Sequence, residues 1–250
     1  MRNPLRHDRD ITHCYRKERT MKNNDEICNI YECGLVRDLV LKNPQYREAL
    51  EKLGIDTCCG GGQPLKEAMC RANTTFEALE KELQKDTPAT TAVPGVDWQR
   101  ASNELLIEYI LQMHHATLRE ELPRLNMFFK RAIAAHSDHA EELKKMHTDF
   151  STLHAALIPH LDLEEKEIFP AMRKNEIPKD AAKRIRQLED EHTIAGNLLR
   201  KLNTATTGYR VPEYACPTVK MLFQGMAKLD AGLHEHIHLE NNILFPRALR

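Results

Sequence analysis

His236-Ile237-His238-Leu239-Glu240 runs on to Phe245-Pro246, and His160-Leu161-Asp162-Leu163-Glu164 runs on to Phe169-Pro170, so H-x2-L-E-x4-F-P occurs twice. A further histidine precedes each copy at nearly equal distance, His115 before the first and His192 before the second. A repeat of this length is that of a helical hairpin used twice, with a metal pair between the copies. On a helix, residues four apart share a face, so His160 and Glu164 reach one site together, as do His236 and Glu240. Spacing alone is weak: random placement of 13 histidines yields about one H-x3-E pair. The shared Leu, Phe and Pro context and the matching upstream histidines are what chance does not supply.

Each of these six residues interrupts an apolar stripe of helical period. Around His115 the stripe reads Ile107, Leu111, His115, Leu118, Leu122, Leu125, Phe129; around His160 and Glu164 it reads Met146, Phe150, Leu153, Leu157, His160, Glu164, Ile168. The second half repeats it with Ile185, Leu188, His192, Ala195, Leu199, Leu202, and with Leu222, Met226, Leu229, Leu233, His236, Glu240, Leu244. A buried, unpaired carboxylate costs several kcal/mol, so two of them in a core call for a cation. The competing reading is a set of core histidines satisfied by ordinary partners beside interfacial glutamates. It suits a single histidine and fails for six polar residues in register across a repeat.

Composition gives the class. Glycine is sparse, aromatics make up 6% and charged residues 29%, which favours an all-α chain. A net charge of −1 offers no field for nucleic acid or an acidic membrane. No apolar run is long enough to cross a bilayer, and the first residues lack the core of a secretory signal, so a cytoplasmic protein is expected. Seven cysteines in such a chain argue for reduced thiols.

The chain divides into a 1–34 extension, a small helical domain over 35–85, a linker over 86–98 and a four-helix bundle over 99–250. The basic first twenty residues are either a disordered tail or an overextended start with Met21 as initiator. In the small domain, Asn43-Pro44 opens a helix, Gly54 ends it, and Thr74 with Glu77 has capping-box spacing, giving three or four short helices. About fifty residues make a marginal core, so the module is expected to lean either on the larger domain or on a second subunit in a homodimer. Asp86–Gly95 lacks periodicity and holds two prolines. Bundle helices are expected over 99–134, 138–172, 179–204, preceded by Pro178, and 214–248. Pro123 and Pro159 fall inside them. Pro159 either aims His160, opens an access path, or ends its helix segment early.

These residues resemble the iron-sulfur cluster repair di-iron proteins, the repair of iron centres family with a hemerythrin-like domain. The resemblance covers about residues 35–250 and rests on Asp56-Thr57-Cys58-Cys59-Gly60-Gly61-Gly62, Glu191-His192, and His236 through Ala248. It implies a hemerythrin-like bundle in which His115, His160, His192 and His236 are terminal ligands of two non-haem iron ions, oxo-bridged and bridged by Glu164 and Glu240. Residue type alone admits iron, manganese or zinc. The implied function is repair of clusters damaged by oxidative or nitrosative stress through iron donation, with damaged iron-sulfur proteins as partners. Alternatives are a nitric oxide or peroxide reductase at the same irons, or a sensor binding O2 or NO; whether the chain is an enzyme stays open.

Of the neighbours, His114 points about 100° from His115 on an α-helix, so one of the two lies on the stripe, and His115 is the choice. His154 is a surface or supporting residue, and Glu165 faces away from Glu164. Cys58-Cys59, before three glycines, is either a plain structural turn or an exposed reactive pair whose thiolates a helix N-terminus favours. With the resemblance, both become cofactor-binding residues with a metal-transfer or redox role. Cys28 and Cys33 are unassigned, and Cys14, Cys70 and Cys216 form no cluster.

Overall fold

The computed structural model describes residues 34–43, 45–84, 96–174 and 180–249. The expected extension with Met21, Cys14, Cys28 and Cys33, and also Pro44, Pro178 and the linker core at 86–95, lie outside them. Contacts divide the chain into two compact units, Met1–Ile55 with Gly62–Ala89, and Asp56–Gly61 with Thr90–Arg250. The cysteine-bearing segment Asp56–Gly61 therefore groups with the bundle and not with the small helices that flank it in sequence.

The smaller unit holds α1 (Val36–Lys42), α2 (Gln45–Lys52), α3 (Leu65–Arg71) and α4 (Phe76–Leu83). Val36, Leu39, Leu50, Leu65, Met69 and Leu79 form its core. Asn43 Oδ1 accepts from the Gln45 amide at 3.0 Å, and Gly54, at φ +80°, lets the chain leave α2 where a side chain would strain it. The expected cap on α4 moves by one residue. Thr75, not Thr74, is the N-cap, and its hydroxyl accepts from the Ala78 amide. The extended backbone of Thr75 decides this, because the capping residue must precede the first helical one.

The larger unit is built from four rods. The first runs through α5 (Asn103–Tyr109), a π-helical turn π1 (Ile110–His115) and α6 (Ala116–Ala135). The second joins α7 (Ala140–Leu163), π2 (Glu164–Ile168) and α8 (Phe169–Lys174). The third is α9 (Ala181–Ala205), and the fourth joins α10 (Pro217–Leu239), π3 (Glu240–Leu244) and α11 (Phe245–Ala248). α6 packs on both α7 and α10, α9 packs on α7, and α9 with α10 closes the bundle. Ser102 caps the first rod by accepting from the Leu105 amide. α7 runs straight through Pro159, which excludes an early end there, and α6 runs through Pro123. Both prolines are exposed, so water can solvate the carbonyl that each leaves without a donor.

The π turns were not expected from periodicity. Each is closed by a bond spanning five residues: Ala116 to the Leu111 carbonyl, Phe169 to Glu164 and Phe245 to Glu240. In the first rod this turn rewrites the stripe. Ile110 is fully buried while the expected Leu111 is only half-buried, and His114 joins His115 in the interior. In the other two rods, Pro170 and Pro246 directly follow the closing residue, where a missing amide is least costly. No helix of the described residues is long and apolar enough to cross a membrane.

Leu122, Leu125, Phe129, Phe150, Leu153, Leu222 and Leu233 belong to the apolar core of the bundle. Phe129 and Phe150 meet at 5.1 Å between ring centres. Phe150→Ala should lower the unfolding free energy by about 3–5 kcal/mol in a denaturant titration followed by circular dichroism. A loss below about 1 kcal/mol would contradict this packing.

Candidate metal centre

The six polar residues that interrupt the stripes converge. His115, Glu164, His236 and Glu240 place one ligand atom each within 4.8 Å of one another, and His160, Glu164, His192 and Glu240 do the same. Both carboxylates belong to both groups. All six residues are buried, Glu164, Glu240 and His236 completely.

The histidine protons show where the free lone pairs point. His115 Nδ1–H donates to Glu165 Oε1 at 2.9 Å, and His160 Nδ1–H donates to Glu191 Oε2 at 2.8 Å. His192 Nδ1–H donates to Asn241 Oδ1 at 2.8 Å, and Asn241 Nδ2 donates in turn to the Cys58 carbonyl. A carboxylate or amide oxygen only accepts, so each bond holds a proton on Nδ1 and turns Nε2 toward the centre. The Nε2 atoms face one another: His115 and His236 Nε2 lie 3.2 Å apart, and His192 and His160 Nε2 2.9 Å apart. Two lone pairs at such distances repel unless a proton or a cation sits between them.

The carboxylates make the same demand. No oxygen of Glu164 or Glu240 has an aligned hydrogen-bond donor, although imidazole Nε2 atoms stand 2.9 to 3.9 Å away. Burial and the charge of Glu240 push the Glu164 carboxyl up. Glu240 is held well below its usual range, because His236, His115 and His192 overcome its burial. Burial opposes charge on His160, yet Glu164, Glu240 and Glu191 raise it to about 9, while burial drives His236 down to about 3. Two carboxylates and four inward-facing imidazole nitrogens around one interior are a donor set for two cations of the iron, manganese or zinc kind.

The repeat's aromatic residues have a place here. Phe169 lies against His115 at 5.5 Å, and Phe245 stacks on His192 at 6.0 Å and 4° between planes. Each phenylalanine thus supports the histidine upstream of its own copy. His154 lies off the centre, near Phe150. Two expectations about neighbours need correction. His114 is buried too, parallel to His236 at 5.6 Å, within the π turn that also holds His115. Glu165 faces away from Glu164 but not away from the centre, since it orients His115 and is anchored by Arg119 at 3.1 Å. The sequence signal for these orienting groups is adjacency: Glu165, Glu191 and Asn241 each neighbour one of the six.

The cysteine pair also differs from its expected exposure. Cys58 is buried in the bundle core, and Cys59 is partly exposed. Their sulfurs are 3.9 Å apart, hydrogen-bonded and not joined by a disulfide, and Asp56 Oδ1 accepts from both backbone amides and from the Cys58 thiol. Its hydrogen bond with Cys59, burial and the Asp56 charge raise the Cys58 pKa well above the usual range, opposite to the expected activation. Asp56, Cys58 and Cys59 nevertheless bring three donor atoms within 4.8 Å. Cys59 Sγ donates to the His192 carbonyl at 3.3 Å, and Asn242 Nδ2 donates to the Thr57 carbonyl at 3.0 Å. Gly61 is required by this approach, because a Cβ there would fall 2.2 Å from Asn242 Oδ1.

Residues 106–248 match the hemerythrin HHE cation binding domain, and residues 35–87 match a domain of unknown function, DUF542. The chain is similar to proteins named iron-sulfur cluster repair protein YtfE. It is 33% identical to that of Pectobacterium atrosepticum, over 85% of this chain and 95% of the relative. It is 36% identical to that of Cronobacter sakazakii and 35% to that of Escherichia coli O157:H7, each over 85% of this chain and 94% of the relative.

Uncompensated burial gives Glu164→Leu two opposite effects. Stripped of metal, the variant should be more stable than the parent by about 1–3 kcal/mol, since an unsatisfied carboxylate is gone, while its metal content after loading should fall. Thermal unfolding in chelator beside elemental analysis of the loaded proteins reads both. A metal-free variant less stable than the parent would mean that His160 and His115 more than offset the burial of Glu164.

Proposed function

Because the chain belongs to the iron-sulfur cluster repair proteins that carry a hemerythrin HHE domain, we propose that it restores damaged iron-sulfur clusters by giving up iron held at the bundle centre. The observation that carries this reading is the pair of buried carboxylates without aligned donors, between four imidazoles whose ring nitrogens converge on them. His115 and His236 would hold one ion, His160 and His192 the other, with Glu164 and Glu240 shared. When bound, iron would supply ferrous and ferric states and open positions for small ligands such as O2 or NO.

Iron is here cargo as well as occupant, and the ligand chemistry suits release. Carboxylate and imidazole exchange a hard cation more readily than a closed thiolate cage would. Each imidazole that loses its ion keeps its Nδ1 bond to Glu165, Glu191 or Asn241, so the ring stays oriented for reloading. His236, without such a partner at Nδ1, is the ring least held in place.

Cys58 and Cys59 stand on the same path. The Cys59 thiol lies on the His192 carbonyl, and Asn241 joins the Cys58 carbonyl to the His192 ring. We assign this Asp56, Cys58 and Cys59 group the role of receiving iron as it leaves, with thiols and a carboxylate as donors. The client is a protein with a depleted cluster.

Iron-loaded protein mixed anaerobically with a cluster-depleted dehydratase should lose iron as the acceptor regains activity. Cys59→Ser should slow that transfer several-fold without changing the iron content of the donor. An acceptor that stays inactive while the donor keeps its iron would overturn the reading. Steady turnover of nitric oxide without iron loss would replace it with reductase chemistry.

A further inference from the structure

At the far end of the bundle a second reactive cluster is built from residues that the metal centre does not use. His136 ends α6 and Cys216 is the N-cap of α10. At 1.5 Å per residue the two rods carry them about 30 Å from His115 and His236. His136 Nε2 lies 3.1 Å from Cys216 Sγ. Beside them the His139 ring stacks on Tyr214 at 3.6 Å and 7°, and the His136 ring stands 5.5 Å from the same tyrosine. Cys216 and His136 are both partly exposed.

The local backbone explains the pairing. Pro217 opens α10, the backbone of Cys216 is extended, and its side chain makes no capping hydrogen bond. An imidazole on one side and a helix N-terminus on the other favour the thiolate. His136 foremost, then the Val219 amide, hold the Cys216 pKa down to about 7, against a slight burial. Asparagine, aspartate, serine and threonine are the usual N-caps because each brings an oxygen to those amides, and cysteine brings none.

We infer that Cys216, with His136 as its proton partner, is a peroxide-reactive thiol site separate from the metal centre. The Cys216 thiolate attacks one oxygen of hydrogen peroxide, an S–O bond forms and the O–O bond breaks. Sulfur is oxidised to the sulfenic acid, the departing oxygen is reduced to hydroxide, and that hydroxide takes the proton held by His136 to leave water. The new oxygen lies where an N-cap oxygen belongs, so the α10 amides and His136 stabilise the oxidised state. Other titratable groups around the pair are Tyr214, His139 stacked on it, and Glu142 at the start of α7, whose charge acts on Tyr214.

The test uses the full chain with its metal. Peptide-resolved iodoacetamide labelling between pH 5 and 9 should give Cys216 a midpoint near 7. After brief hydrogen peroxide, dimedone should trap sulfenic acid at Cys216 ahead of buried Cys58. His136→Gln should move the midpoint up and slow labelling at pH 7 by about threefold, the gain in thiolate fraction being partly offset by its lower nucleophilicity. Metal content should not change. A parent midpoint above 8, a midpoint that His136→Gln leaves in place, or no sulfenic acid at Cys216 would overturn the inference. If the variant does not fold, the parent profile and the trapping decide.

Discussion

Two carboxylates buried among four imidazoles set the terms for the rest of the larger unit. Taking Glu164 and Glu240 out of water is costly; the surrounding imidazoles overcome that cost at Glu240, while burial and the Glu240 charge still push the Glu164 carboxyl up. The leucine and phenylalanine core contributes stability by burial, and the centre spends part of it on a charged cavity that only cations relieve. That division places the apolar mass toward the α6 and α7 midsections and the buried polar groups at the rod ends that carry the π turns.

Most of the bundle was legible because the stripes have helical period and the ligands sit in them. The convergence of the six residues and the positions of the rods follow from that pattern together with the repeat, while the grouping of Asp56–Gly61 with the bundle does not. What escaped was the backbone between the ligands. A π turn leaves no mark in a stripe except one residue of phase error, as Ile110 replacing Leu111 shows. Phe-Pro after each glutamate was visible as repetition, but its physical reason, a ring against a histidine and a proline at the close of a π turn, needs coordinates.

The cysteine segment was misread for a related reason. Three glycines after a thiol pair suggest looseness, yet Asp56–Gly61 is pinned by Asn241, Asn242 and the His192 carbonyl. Neighbouring letters cannot show that partners nearly two hundred residues away leave room for hydrogen alone at Gly61. The two copies of the repeat diverge at this point: Asn241-Asn242 follows Glu240, where Glu165-Lys166 follows Glu164. One copy grips the thiol segment, while the other turns a carboxylate toward Arg119.

The π turns also act as a vernier on the rods. Each carries one residue beyond what an α turn would use, so removing a single residue there could restore an unbroken α ladder without losing the helix, but everything downstream would swing by about 100°. Phe169 and Phe245 would then leave their histidines. Length in these short stretches is thus as tightly constrained as the identity of the residues they hold, and a chain of this kind can accept insertions and deletions in its loops far more easily than one at Glu164 or Glu240.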